Sequence, residues 1–302
     1  MRFEHSGILV IDKPAGITSA SLVARVKKLL GAKKVGHAGT LDPLATGILV
    51  CCINRATKLA RFFLHGNKTY EAVLCLGVET STQDSTGKVT STCDNILFSE
   101  VKIRSVFKDF EGRIEQIPPV YSALKCKGTP LYKLARNGKP VQKPARPVTI
   151  FNIEIQGIHM PLIHFIVSCS AGTYIRTLCA DLGESLGCGG HLKELRRIQS
   201  GGFSITEALK LSELEHLVLS GKISDRIISM SKALRDMPEH RVDTALEEKI
   251  MHGNIITKKD VTPAHTDTEG FIKIVNIKND LIAILKHIKK SDRYDYCCVF
   301  NK

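Results

Sequence analysis

Apolar residues run unbroken over residues 7–11 and 48–53, the pattern of short buried strands. The first run ends in a turn, Asp12-Lys13-Pro14-Ala15-Gly16. Ser19 reads as a helix cap. Leu22, Val23, Val26, Leu29 and Leu30 follow at helical spacing until Gly31 stops the helix, and its other face carries Arg25, Lys27 and Lys28. A glycine-rich loop over residues 36–47 leads into the second run. Next come a helix near residues 56–64 and a strand near residues 70–76. An amphipathic helix through Ile103, Val106, Phe107 and Phe110 is closed by Gly112.

The texture changes between residues 116 and 147, where six prolines and few apolar pairs at either period mark a long excursion from the core. Regular patterning resumes with strands near residues 148–155 and 164–168. A helix from about Thr173 then carries Ile175, Leu178, Leu182 and Leu186 on one face. Met237-Pro238 marks a boundary near residues 235–240. Beyond it, residues 251–256 and the alternating strands around residues 271–285 suit a small β-barrel, although residues 263–270 are more polar than a tidy strand.

A chain of 302 residues has room for one large and one small domain and can bury a core without disulfides. No apolar run reaches membrane-spanning length and the start lacks a signal-peptide pattern, which predicts a cytoplasmic protein with no membrane partner. Ten cysteines are scattered, with adjacent pairs at Cys51/Cys52 and Cys297/Cys298 and no Cys-x-x-Cys. Structural zinc needs closely spaced pairs, so free thiols and no metal are expected. The net charge of +13 points to a polyanionic partner, and its distribution says more. Residues 236–302 hold 11 Lys and Arg against 11 Asp and Glu, whereas residues 112–147 hold eight bases against Glu115 alone.

The densest chemistry lies in Gly36-His37-Ala38-Gly39-Thr40-Leu41-Asp42-Pro43-Leu44-Ala45-Thr46-Gly47. Its glycines let the backbone approach something bulky, and His37 and Asp42 add a titratable ring and a carboxylate. Asp42 before Pro43 also fits a helix N-cap, so spacing leaves both readings open. The loop resembles the catalytic motif of the TruB family of pseudouridine synthases, Gly-His-x-Gly-Thr-Leu-Asp-Pro-x-Ala-x-Gly, whose aspartate falls on Asp42. Residues 7–19 resemble the family's first motif, with Lys13 and Pro14 beside the site. Lys68-Thr69-Tyr70, with Leu76-Gly77 and residues 80–84, is similar to the segment bearing the active-site tyrosine, which implies Tyr70. Gly172-Thr173-Tyr174-Ile175-Arg176 is similar to the motif that supplies the active-site arginine, which implies Arg176 with Tyr174 at the site. Residues 118–136 resemble the thumb insertion that grips tRNA, and residues 191–197 the segment that places Leu195 in the site. Ile198 departs from the threonine usual in the family.

The resemblance implies an α+β fold: a mixed, largely antiparallel sheet with flanking helices and a thumb, plus a small C-terminal PUA-like β domain. Residues 1–236 would form the catalytic domain, with the thumb at about 112–147, and residues 240–302 the RNA-binding PUA-like domain. The implied activity is isomerisation of uridine-55 in the tRNA T loop to pseudouridine. Asp42, Tyr70 and Arg176 would be catalytic. His37, Lys13, Pro14, Tyr174 and Leu195 would contact the substrate, and Lys125, Lys127, Lys133 and Arg136 would contact tRNA from the thumb. The reaction is redox-neutral and transfers no group, so no cofactor is expected, and the chain is expected to act as a monomer. Two rivals are a guide-RNA-dependent synthase, which lacks a thumb, and a non-catalytic tRNA chaperone. The intact Asp42, Tyr70 and Arg176 argue against the second.

Overall fold

The computed structural model describes residues 3–261, 270–288 and 291–300. Strands β1 (Gly7–Lys13), β2 (Val35–Ala38) and β3 (Thr46–Ile53) form one flank of the main sheet, with β3 paired antiparallel to both others. Helix α1 (Ser19–Leu30) covers one face through Leu22, Val26 and Leu30 against Leu9, Ile11, Leu49 and Cys51. Ile8, Val10, Ile48, Val50 and Cys52 on the other face meet Phe63 and Phe203. Burial on both faces is why these strands read as unbroken apolar runs. The α1 cap is Thr18 rather than Ser19: its hydroxyl accepts from the Ser21 N–H at 3.0 Å, and Gly31 at φ 60° ends the helix. Ser19 turns inward and bonds both the N–H and the C=O of Leu41 at 2.9 Å, tying the helix start to the residue before Asp42.

The helix expected near residues 56–64 divides into a 3-10 turn, Asn54–Leu59, and the short α2 (Ala60–Leu64). Strand β4 (Lys68–Leu76) follows, then the β5–β6 hairpin (Val78–Thr80 and Val89–Thr92), α3 (Glu100–Asp109) and the edge strand β7 (Gly112–Gln116). The excursion holds a small hairpin, β8 (Lys125–Cys126) and β9 (Thr129–Pro130), and helix α4 (Leu131–Arg136). The chain returns through β10 (Arg146–His159), β11 (Leu162–Cys169), α5 (Ile175–Leu186), β12 (Gly190–Ser200) and β13 (Phe203–Ser204). The sheet order is β1-β3-β12-β4-β11-β10-β7, with β3–β12 parallel and the other neighbours along this path antiparallel. This is the mixed, largely antiparallel sheet expected. Tyr70, Ala72, Leu74 and Leu76 on one face of β4 pack against Ile103 and Phe107 of α3 and Leu178 and Leu182 of α5.

After α6 (Leu211–Leu219) and α7 (Met230–Ala233), a second sheet begins. It contains β14 (Glu239–Arg241), β15 (Ile256–Thr257), β16 (Phe271–Val275), β17 (Leu281–His287) and β18 (Arg293–Val299), with α8 (Thr244–Met251) after β14. Its order is β14-β16-β17-β18-β15; among the described residues the two outer strands are not paired to each other, so hydrogen bonds do not close the expected barrel. The polar stretch at residues 263–270 lies, but for Gly270, outside the described residues. Val275, Leu281, Ile284 and Phe300 share one apolar cluster with β1 and β3, and the buried Lys273 donates to the carbonyls of Ser231 and Leu234 at 3.1 and 2.9 Å. The second sheet therefore completes the core under β1 and β3.

Candidate active site

Asp42 does not begin a helix. The Ala45 N–H turns back to the Asp42 carbonyl at 3.1 Å and the chain enters β3, which leaves the carboxylate on the wall of a cavity of about 310 Å³. Lys68 and Tyr70 of β4, Tyr174 and Arg176 at the start of α5, Leu195 and Arg197 of β12, and the thumb root at Ser122 also line it. Asp42 Oδ2 lies 2.9 Å from Arg176 Nε; the Asp42 side chain is 35% exposed and that of Arg176 4%. The Nε–H has no aligned acceptor among the described residues, so charge rather than a directed hydrogen bond holds the pair. The rest of the guanidinium is fixed. Nη1 donates to Thr82 O at 3.0 Å and Nη2 to Tyr121 O at 2.9 Å, and Asp84 stands 3.8 Å from Nη1. Asp84 is itself held by the Thr82 hydroxyl at 2.8 Å and the Thr86 N–H at 2.9 Å. A buried guanidinium without such partners would cost several kcal/mol.

Two further cations clamp the loop that carries Asp42. Arg197, 1% exposed, donates through Nε and Nη2 to Ile48 O and through Nη2 to Gly39 O, binding both shoulders of the loop. The parallel β3–β12 register sets Gly47 opposite Arg197; Gly47 has φ 96°, and a Cβ there would collide with the Arg197 backbone. Ile198 sits in a β-bulge, between the pairs Arg197↔Tyr70 and Gln199↔Thr69, so its departure from the family pattern falls at a register shift. Lys13 is fully buried and donates to the carbonyls of Pro14, Ile17 and Pro43 at 2.8, 2.9 and 3.2 Å. Burial lowers its pKa to about 8, partly offset by Asp42 and reinforced by Arg197. Burial also lowers Lys68 to about 8, and this amine donates to Leu64 O and Gly66 O. Burial raises the pKa of the Tyr70 hydroxyl, against the opposing pull of the nearby Arg197 charge, so it is neutral near pH 7.

The structure thus brings Asp42, Tyr70, Arg176, Tyr174 and Leu195 together. Lys13, expected as a substrate contact, has its donors taken by loop carbonyls and holds the loop; Pro14 is exposed in the turn beside it. His37 lies in β2 opposite Cys51 and does not line the cavity; its Nδ1 is buried without a partner among the described residues, and its pKa is lowered by burial and then by Arg197. Lys125, Lys127, Lys133 and Arg136 stand exposed on the thumb, and Arg136 lies over the Tyr132 ring at 5.7 Å. Sequence reasoning missed Arg197, Lys68, Asp84 and Ser122 as parts of the site. Each is buried while its two chain neighbours are not, so the sequence carries no pattern that marks it. Among the described residues no group of three His, Cys, Asp or Glu could hold a metal ion, and no helix is long and apolar enough to cross a membrane.

The profile described as TruB family pseudouridylate synthase (N terminal domain) matches residues 27–175, and that of the tRNA pseudouridylate synthase B C-terminal domain matches residues 176–237. Their junction falls at the start of α5, so the cavity draws on both. A relative named tRNA pseudouridine synthase B from Geobacter sulfurreducens is 43% identical over 255 residues, covering 84% of each chain. One of the same name from Syntrophus aciditrophicus is 40% identical over 291 residues, covering 95% of this chain and 93% of the relative. Among solved structures, the chain is similar to one in a Cbf5-Nop10-Gar1 complex, with TM-score 0.77, 28% identity and coverage of 97% and 84%. It is also similar to one in an H/ACA RNP bound to a substrate RNA containing 2′-deoxyuridine, with TM-score 0.76, 27% identity and coverage of 98% and 85%.

Proposed function

Because the chain belongs to the TruB family of pseudouridylate synthases, an isomerase family acting on tRNA, we propose that it converts uridine-55 of the T loop to pseudouridine, with Asp42 as the essential carboxylate. The observation that carries this reading is the partly exposed Asp42 carboxylate, 2.9 Å from the buried Arg176 on the wall of a cavity of about 310 Å³. In the reaction the N1–C1′ bond breaks, the base turns, and a C5–C1′ bond forms. C5 gives up its proton and N1 ends protonated, so the product is an isomer and no electrons are exchanged. Asp42 acts at the sugar, as nucleophile or as counter-ion to a sugar cation. Tyr70, neutral and buried, packs against the base, with Leu195 and Tyr174 completing the walls. The target must leave the stacked loop to reach Asp42, at a cost of a few kcal/mol. The thumb supplies exposed cations to hold the T arm meanwhile.

In this reading residues 1–236 are the catalytic domain and residues 240–302 a PUA-like RNA-binding domain, and the chain works in the cytoplasm as a monomer. The identity to tRNA synthases, 43% and 40%, exceeds the 28% to the Cbf5-complex chain, and the thumb favours free tRNA over a guide-RNA assembly. The test is to incubate unmodified tRNA transcripts with the purified chain and map pseudouridine at every uridine. Modification is expected at position 55 alone; modification only outside the T loop would overturn the assignment.

A further inference from the structure

We propose that Ser122, at the root of the thumb, supplies a hydrogen bond to the target nucleotide and is a further substrate-binding residue of the site. This rests on the reading above, in which the Asp42 cavity receives a flipped uridine. Ser122 lines that cavity and is 3% exposed, yet its hydroxyl has no hydrogen-bond partner among the described residues. Buried hydroxyls are nearly always paired, and an unpaired one is unfavourable. Of the buried side-chain atoms without a partner, Ser122 Oγ and Arg176 Nε belong to residues that line this cavity, and Arg176 Nε already faces Asp42. His37 Nδ1, Ser200 Oγ and His287 Nε2 belong to residues that do not line it.

The hydroxyl is positioned rather than loose. The Tyr121 carbonyl, one peptide before it, accepts from Arg176 Nη2 at 2.9 Å. The Ser122 carbonyl accepts from the Tyr132 N–H at 3.0 Å, and the Leu124 carbonyl from the Leu131 N–H at 2.7 Å. These bonds fix Ser122 between the guanidinium paired with Asp42 and the first turn of α4. A serine hydroxyl both donates and accepts, so it can meet a uracil carbonyl, the uracil imide N–H or a ribose hydroxyl. Because it comes from the thumb, the contact joins the element that grips RNA to the cavity where the chemistry occurs.

A serine kept for structure and one kept for substrate give opposite results on replacement. The first loses stability; the second, having no protein partner to lose, does not. Ser122→Ala and Ser122→Cys, the second preserving side-chain size, are compared with wild type in the full chain. The readouts are thermal unfolding, tRNA affinity and the single-turnover rate of pseudouridine formation at saturating enzyme. Both variants should unfold at or above the wild-type midpoint and bind tRNA within about twofold of wild type, while reacting about tenfold more slowly. A wild-type rate in either variant, or a loss of rate that tracks a loss of stability, overturns the role of Ser122. The wild-type arm separates the two claims. If it leaves tRNA unmodified, the reading of the site fails; if it is active and the variants are equally active, only Ser122 is removed.

Discussion

Asp42 stands where three buried cations converge: Arg176 pairs with its carboxylate, and Lys13 and Arg197 bind the backbone on either side of it. Pattern alone could not have shown this arrangement. Asp42, Tyr70 and Arg176 were legible because they fall in motifs. Arg197 was not, because a charged residue in a strand ordinarily signals the solvent face, and the bulge at Ile198 shifts the register that alternation depends on. Lys68 was hidden similarly, since nothing in its spacing shows that two carbonyls wait for its amine. Its burial has a measurable consequence. The Lys68 pKa is about 8 in the folded chain against an ordinary 10.5. Below pH 8 both folded and unfolded chains hold the proton and the burial penalty is fully present. Between about pH 8 and 10.5 the unfolded chain holds a proton that the folded one has shed, so this contribution to stability rises with pH. Urea unfolding of wild type and Lys68→Met across that range should show stability climbing more steeply with pH in wild type. Parallel curves would remove the assigned shift.

Among the elements, the thumb departs most from its sequence reading. The thumb was expected at about residues 112–147, but residues 112–116 form β7, paired to β10 with Gln116 opposite Arg146, so the sheet edge extends to residue 116, where the proline-rich excursion begins. Its sequence, Gly-Arg-Ile-Glu-Gln, is largely exposed and lacks the apolar alternation that would have marked a strand. The thumb also has order of its own: Leu131 is buried, and Gln116 both donates to and accepts from the Tyr174 backbone at 3.0 and 2.7 Å. Its cations Lys125, Lys127, Lys133 and Arg136 are exposed and make no ion pair among the described residues, so they are available to phosphate. Each phosphate contact contributes about 0.7–0.9 to the slope of log affinity against log salt. If half of the four touch phosphate, neutralising them should shrink that slope by about 1 to 2. The control is neutralisation of Lys258, Lys259, Lys278 and Arg293, which are exposed cations of the C-terminal unit. A tRNA titration at several salt concentrations decides between them. A larger loss of slope in the control than in the thumb variant would contradict the assignment of the grip to the thumb.

For the whole molecule, charge was more legible than architecture. The surplus of +13 lies outside residues 236–302, as a count along the chain shows, but the union of the second sheet with the core under β1 and β3 is invisible to any count. That union makes removal of residues 240–302 a poor probe of RNA binding, since it would uncover Ile8, Val10, Ile48 and Val50. Four of the motifs that carry the family resemblance fall where the fold turns into the cavity: the β2–β3 loop, the start of β4, the start of α5 and the middle of β12. The clamps hold the loop that presents the Asp42 carboxylate to the cavity, which the proposed function reads as the place of a flipped nucleotide. Asp42→Asn keeps the shape and removes that carboxylate, and its turnover on unmodified tRNA, measured beside its tRNA affinity, tests the claim most directly. The account predicts affinity within about twofold of wild type and no detectable pseudouridine. Multiple turnover by the variant, with deamidation back to aspartate excluded by mass, would contradict it.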